Sequence, residues 1–297
     1  MPRPVTVLLF GVTVTTAAFR ATPVAPTPAP LSCAGARVVA QPARPRQGAL
    51  FRVRVEGAPS GAVPGGTAAG EPLHFVPASG AYEALAAAPI DGDSTLAVSV
   101  ACGADSLRAS VALAAADYPV ERLRVAPRFA APPDSALAAR LAREAALAAE
   151  VSRRAHETPR LWTAPFRRPR DSRVTSTFGR GREFNGTVTS RHLGTDYAGA
   201  VGAPVLAANR GVVRLVDAFF LGGNVVYVDH GAGLVTAYLH LSAQRVAVGD
   251  TVQRGDVIGK VGATGRVTGP HLHWITRYGA VTVDPASVLR LTARDVR

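Results

Sequence analysis

Between residues 34 and 125 apolar side chains fall at every second position. Phe51, Val53 and Val55 alternate with Arg52 and Arg54, and Leu96, Val98, Val100 and Cys102 alternate with Ala97, Ser99 and Ala101. Leu107, Ala109, Val111 and Leu113 keep the same step. Successive side chains of a strand point to opposite faces, so this spacing gives each strand one buried face. With glycine and proline between the runs, it predicts a small antiparallel β-sandwich over 33–125. His74, in Pro72-Leu-His74-Phe, reads as an ordinary strand residue.

The period then changes. Pro132-Pro133-Asp134-Ser135 opens an alanine- and leucine-rich stretch that runs to about His156. Asp134 or Ser135 suits a helix N-cap, and Leu137, Leu141, Leu147 and Val151 form an apolar stripe. His156 and the charged residues around it are expected to face solvent. Pro159, Pro165 and Pro169 make the next stretch an extended connector, with Trp162 and Phe166 pinning it to the C-terminal domain. The linker so defined covers 126–170.

From 171 to 297 the pattern returns to strands with frequent glycine turns. Val212–Val216, Asn224–Val228, Leu234–Leu241 and Val257–Val261 are β-rich, and Gly222-Gly223 and Gly231-Ala232-Gly233 mark turns. The fold class is therefore mainly β: an N-terminal β-sandwich, a short helical linker and a C-terminal antiparallel β domain. Residues 248–259 imitate the strand-turn-strand of biotinyl and lipoyl carriers. Lys260 lies inside a strand-like run rather than at a hairpin tip, so carrier chemistry does not apply.

Composition changes the picture in three places. The chain has 297 residues, 18% of them charged, and a formal charge of +12. Nearly all of that charge is arginine spread along the chain, which reads as codon bias or as attraction to a polyanionic wall. No arginine-rich run interleaves with aromatics, which argues against nucleic acid. Met1-Pro-Arg3-Pro followed by apolar Val5 to Phe19 resembles a secretory signal peptide, so 1–32 is expected to be a leader. Ser32-Cys33 offers a lipoprotein alternative, which Pro30 disfavours. Any membrane contact is expected only through this export signal. Cys33 and Cys102 in an exported chain are expected to form one disulfide.

The candidate chemistry lies in His192-Leu-Gly-Thr-Asp196, Tyr238-Leu-His240-Leu and His271-Leu-His273-Trp. Residues an even number apart in extended chain share a face, which pairs His192 with Asp196 and His271 with His273. Imidazole and carboxylate suit a divalent metal such as zinc, and three such ligands leave a fourth position for water. Five such residues in one compact β domain are poorly explained as separate structural side chains.

These motifs resemble those of the lysostaphin-type zinc metallopeptidases, which cut peptide bonds in bacterial peptidoglycan. Thr177-Phe178-Gly179-Arg180, Phe184-Asn185-Gly186 and Gly262-Ala-Thr264-Gly265 add to the likeness, which is close over about 170–290. The resemblance implies one Zn2+ per chain held by His192, Asp196 and His273, with His240 and His271 as catalytic histidines. It leaves open which of these two is the general base; His271 is favoured. His230, in Asp229-His230-Gly231, is expected to be structural. Asn185 could occupy an open metal position in a latent form. Arg180 and Arg182 could meet substrate carboxylates or only solvent.

The expected function is a secreted zinc metalloendopeptidase acting on peptidoglycan, periplasmic or extracellular and associated with the wall. One alternative is a non-catalytic homologue that binds wall or activates another hydrolase, although such chains lose ligands and this one keeps all five residues. Another is a peptidase for glycine-rich proteins, which would use the same site.

Overall fold

The computed structural model describes residues 32–292 apart from 59, 60, 62, 130, 131, 185 and 187. The expected leader and Asn185 lie outside the described residues. The described residues form one compact unit. Among the described residues no helix is long and apolar enough to cross a membrane.

The period-2 runs fold as two four-stranded antiparallel sheets. One joins Arg37–Gln41, Leu50–Glu56, Ala81–Ala87 and Val76–Ala78; the other joins Glu71–Pro72, Gly65–Ala68, Thr95–Cys102 and Asp105–Ala112. Phe51, Val53, Val55, Leu96, Val98 and Val100 bury their side chains between them. Each such side chain contributes about 1.5–3 kcal/mol of burial, so the alternation supplies the cohesion between the two layers. A Cys33–Cys102 disulfide ties the entry of the sandwich to the end of a central strand.

Helix α1 spans Ser135–Arg154, capped by Asp134, whose side chain accepts from the Leu137 N–H at 2.8 Å. Its buried line is not the expected leucine stripe. Glu144, Ala148 and Ser152 face inward, while Leu147 is 39% exposed. Small residues let the helix lie close on Phe219, Tyr227, Val235 and Ala237, and Val151 packs alongside. Glu144 is kept from being an orphan charge by Arg140 at 2.7 Å and by the Phe220 N–H.

Beyond α1 the connector runs without regular structure. Trp162 and Phe166 are buried in the largest core, as the sequence implied. His156 departs from expectation. It is half-buried between Glu71 Oε2 at 2.9 Å and His74 Nε2 at 2.8 Å, with its ring edge-on to Tyr278. His74 lies just after a strand and stacks on His156 instead of serving a sheet. This polar chain joins the sandwich to the sheet beyond. A Cβ on Gly279 would collide with the Glu71 carboxylate, so only glycine admits the join.

The second half is a branched ten-stranded antiparallel sheet. Its main path runs Val174–Ser176, Thr195–Ala198, His271–Tyr278, Leu234–Gln244, Gly223–Gly231, Gly211–Phe219 and Thr251–Val252. Trp274, Tyr238, Tyr278 and Leu272 are fully buried in its core, which also takes in Leu50 and Ala87 from the sandwich. Helix α2, Pro285–Thr292, closes the core with Val288.

A smaller sheet stands at one end. Gly181–Phe184 and Val188–Arg191 form a hairpin, and Val120–Leu123 pairs with it in parallel. The chain leaving the sandwich thus contributes a strand beside the histidine motifs.

Candidate metal centre

Register explains the convergence of residues far apart in sequence. Asp196 lies directly opposite His273, and Ala198 opposite His271, across the pair of strands Thr195–Ala198 and His271–Tyr278. The two-residue step of the second strand puts both imidazoles on the Asp196 side. His192 enters from the end of the hairpin. A Cβ on Gly194 would come within 2.7 Å of the His273 ring and 2.6 Å of the Trp274 carbonyl. Glycine between His192 and Asp196 is therefore what lets His273 reach them.

The three donor atoms meet closely. His192 Nε2 is 2.9 Å from Asp196 Oδ1 and 2.9 Å from His273 Nδ1, and His273 Nδ1 is 2.7 Å from Asp196 Oδ1. All three residues are buried. His192 Nδ1 lies 2.8 Å from the Thr177 carbonyl, so it carries the proton and Nε2 presents a lone pair. That lone pair faces a carboxylate oxygen, and a single proton on His273 cannot satisfy all three contacts. Converging lone pairs of this kind are what a divalent cation satisfies, so the donor set fits a metal.

The surrounding groups hold these side chains in place. Arg182 Nη2 donates to Asp196 Oδ2 at 2.8 Å, which leaves Oδ1 directed at the cluster. Ser176 Oγ lies 3.1 Å from His192 Nδ1 and donates to Glu121 Oε2 at 3.1 Å. Glu121 also pairs with Arg180 at 3.0 Å and lies 3.8 Å from Arg182 Nε. Both arginines that the sequence left between substrate and solvent are thus engaged within the protein. Glu121 was missed altogether, because it sits 55 residues before Ser176 on a strand with no motif around it.

Two further imidazoles stand beside the cluster. His240 has φ of 62°, a left-handed conformation that costs a β-residue about 1–3 kcal/mol. A bulge puts it there: Asn224 pairs with Leu241 but Val226 with Tyr238, so one strand takes an extra residue. The bulge turns His240 inward, to ring distances of 5.0 Å from His271 and 5.8 Å from His273. His240 Nδ1 donates to the Thr264 carbonyl and His271 Nδ1 to the Gly269 carbonyl, each at 2.8 Å. Both Nε2 atoms therefore keep a lone pair, and that of His271 is 3.7 Å from Asp196 Oδ1.

Burial sets the charge states. It pushes the His240 pKa well below the ordinary imidazole range, with His273 and His271 adding to the effect. Burial likewise pulls His273 down to about 4 against the opposing pull of Asp196. The Asp196 carboxyl is held far below the usual carboxylate range: hydrogen bonds and charge from His192 and His273 outweigh a burial effect that acts the other way. A neutral His273 beside an ionised Asp196 is the protonation state a metal requires.

His230 has a different role. Its nitrogens contact the Arg210 carbonyl at 2.7 Å and Thr236 Oγ1 at 2.8 Å, and Phe166 meets its ring edge-on. None of its ring contacts belongs to the cluster. Burial pushes its pKa down to about 4.

A cleft of about 560 Å³ opens against Asp196 and His271, with walls that include Glu121, Arg182, Phe184 and Arg266. A sheet face that gathers two imidazoles and a carboxylate at one point, with two more imidazoles and an open cleft alongside, has the composition of a metal-dependent hydrolase centre. Comparison with known proteins makes the class specific. Residues 190–285 match the family described as Peptidase family M23, and the chain carries a domain of that family. Over 97 residues the chain is 43% identical to peptidoglycan DD-endopeptidase ShyC of Vibrio cholerae, covering 33% of this chain and 22% of that protein. The chain thus spans about a fifth of the length of this curated relative. A crystal structure from Pseudomonas aeruginosa assigned to peptidase M23 aligns over 84% of this chain and 96% of its own, with 28% identity and a TM-score of 0.65. The catalytic domain of lysostaphin from Staphylococcus simulans is 30% identical over 40% of this chain and 93% of that domain, with a TM-score of 0.37.

Proposed function

We propose that the chain is an exported zinc metalloendopeptidase that hydrolyses peptide bonds in bacterial peptidoglycan. The observation that carries this reading is the meeting of His192 Nε2, Asp196 Oδ1 and His273 Nδ1 within 2.7–2.9 Å, beside an open cleft that Asp196 and His271 line. These three residues would hold the metal. Zinc, when bound, supplies Lewis acidity that polarises a peptide carbonyl and makes water acidic enough to deprotonate near neutral pH.

The remaining roles belong to the protein's own groups. Arg182 fixes the Asp196 carboxylate, and Thr177 with Ser176 fixes the His192 tautomer. His271 is assigned as general base: its Nε2 lone pair lies nearest the ligand cluster and its Nδ1–H is anchored on Gly269. Once protonated, that nitrogen becomes a donor to the leaving amine. His240, held on Thr264 and turned inward by the bulge, keeps a neutral ring 5.0 Å from that of His271, with its Nε2 lone pair free to accept a proton.

Action on peptidoglycan places the protein in the periplasm or outside the cell, and a Cys33–Cys102 disulfide suits that oxidising setting. The activity named for the Vibrio relative supports the substrate, and the retention of all five site residues speaks against a non-catalytic role. The test is digestion of purified sacculi by the zinc-loaded chain, with mass spectrometry of the released fragments. New free amino termini in cross-link peptides that disappear on chelation are expected. Intact sacculi with one zinc bound per chain would defeat the proposal.

A further inference from the structure

The cleft beside His271 is unusually basic for a space bordered by a carboxylate ligand. Four guanidiniums line it, from Arg122, Arg173, Arg182 and Arg266, against the carboxylates of Glu121 and Asp196. Most of these charges are already matched. Arg182 donates to Asp196, and Glu121 is shared between Arg180 and Arg182. Arg122 pairs with Glu183 at 3.4 Å.

Arg266 is different. Among the described residues no carboxylate lies within ion-pair distance of it, and its guanidinium sits instead 4.1 Å over the ring of buried Phe184. It is half-buried, and both burial and the charge of Arg182 pull its pKa down. A cation held in that position is made more favourable by an anion arriving in front of it. The planar fork of a guanidinium, with one face fixed on an aromatic ring, matches a carboxylate in two-point contact. Position matters as much as charge. Arg266 to Pro270 form a wall of the cleft that leads directly into His271. A group bound at Arg266 therefore belongs to a substrate residue close to the bond presented to His271.

We infer that Arg266 forms a carboxylate subsite, so that the peptide this protein cleaves carries a free carboxylate within a residue or two of the scissile bond. Exposed Arg173 on the same cleft adds longer-range attraction. The inference rests on the peptidase reading above and narrows its substrate to an acidic cross-linking residue, such as diaminopimelate, in preference to an uncharged glycine bridge.

The test uses the full chain and two probes: a stem-peptide dimer joined through D-alanyl–diaminopimelate, and the same dimer with the diaminopimelate carboxylate beside the link amidated. Binding is measured by calorimetry and cleavage by mass spectrometry with zinc-loaded protein. The free acid should bind about tenfold more tightly than the amide, as expected for one charge-assisted two-point contact. Arg266→Gln should bring the ratio close to one, and Arg266→Lys should keep part of it. Equal binding of the two probes by the unmodified chain overturns the inference, even if Arg266→Gln fails to fold. An unchanged ratio in folded Arg266→Gln overturns it as well. A carboxylate preference without cleavage would leave the subsite standing and remove the peptidase reading. Cleavage of both probes at equal rates with no difference in binding would do the reverse.

Discussion

The sandwich and the large sheet are both antiparallel β, yet they bury different things. Between the sandwich layers the inward positions are apolar, and Glu71 is the one charged side chain buried there among the described residues, at the join to the second half. The large sheet buries His192, Asp196, Asp229, His230, His240 and His273. Burying ionisable groups costs stability unless each finds partners. One region thus uses its strands for cohesion, and the other accepts buried charge and gains a reactive face. A disulfide secures the first, whereas hydrogen bonds involving Arg182, Thr177 and Thr264 secure the second.

That contrast can be broken most severely at the ligands. His192→Ala or Asp196→Ala should empty the metal site and abolish hydrolysis, read by metal analysis of the purified chain alongside sacculus digestion. His271→Ala should keep the metal and lower kcat by about 10²–10⁴, the usual contribution of a general base. Loss of the metal from that variant would instead make His271 a ligand.

Effects on stability come next. Cys33→Ser with Cys102→Ser should cost about 2–4 kcal/mol in denaturant unfolding, because a long loop is released in the unfolded chain. Such a change should leave metal content intact, since the bridge lies in the other region. His230 sharpens the comparison through pH. Its folded pKa of about 4 lies below the ordinary value of 6.5, so below pH 6.5 the unfolded chain takes up a proton that the folded chain refuses. Stability should therefore fall as pH drops from about 6.5 to about 4 and level off below, by about 3 kcal/mol at most. A His230→Gln variant whose unfolding keeps the full pH slope would exclude this origin.

Smaller still is the support of the ligand carboxylate. Arg182→Gln should weaken metal affinity by about 10–100-fold, measured by competition with a chelator, with the fold unchanged. At the bottom of the scale, Leu147→Ala on the outer face of α1 should shift stability by no more than about 0.5 kcal/mol. Ala148→Leu, one position away and buried against the sheet, should cost more through overpacking.

Particular residues show where reading by pattern works. The alternation around Phe51 and Val98 predicts strands because period and burial are both local properties of a pleated chain. The helix is legible from Asp134 and the alanines after it, but its buried line is not. Hydrophobicity points to Leu147, whereas close approach to the sheet selects Ala148 and Ser152. His156 misleads in the same way: charged neighbours in sequence suggest solvent, and Glu71 and His74 from the sandwich hold it in a half-buried hydrogen-bonded chain.

At the site, the motifs and the family they resemble point to His192, Asp196, His240, His271 and His273, whereas strand period pairs only His271 with His273; a bend at Gly194 brings His192 to Asp196. Glu121 and the unmatched charge of Arg266 leave no such trace. Whether a charged side chain is paired depends on what other segments bring within 4 Å, and neither composition nor spacing encodes that.

The amino-acid sequence by itself therefore determined the β-rich class, the helix start, the five chemistry-bearing residues and the cysteine pair, because each arises from local periodicity or residue chemistry. Only the tertiary structure decided that a strand from outside the motif region braces the centre and that a bulge turns His240 inward. It also decided that, among the described residues, Arg266 alone of the cleft's half-buried cations lacks an acidic partner. Those features come from register and packing between distant segments, where a shift of one residue would exchange the faces and disperse the site.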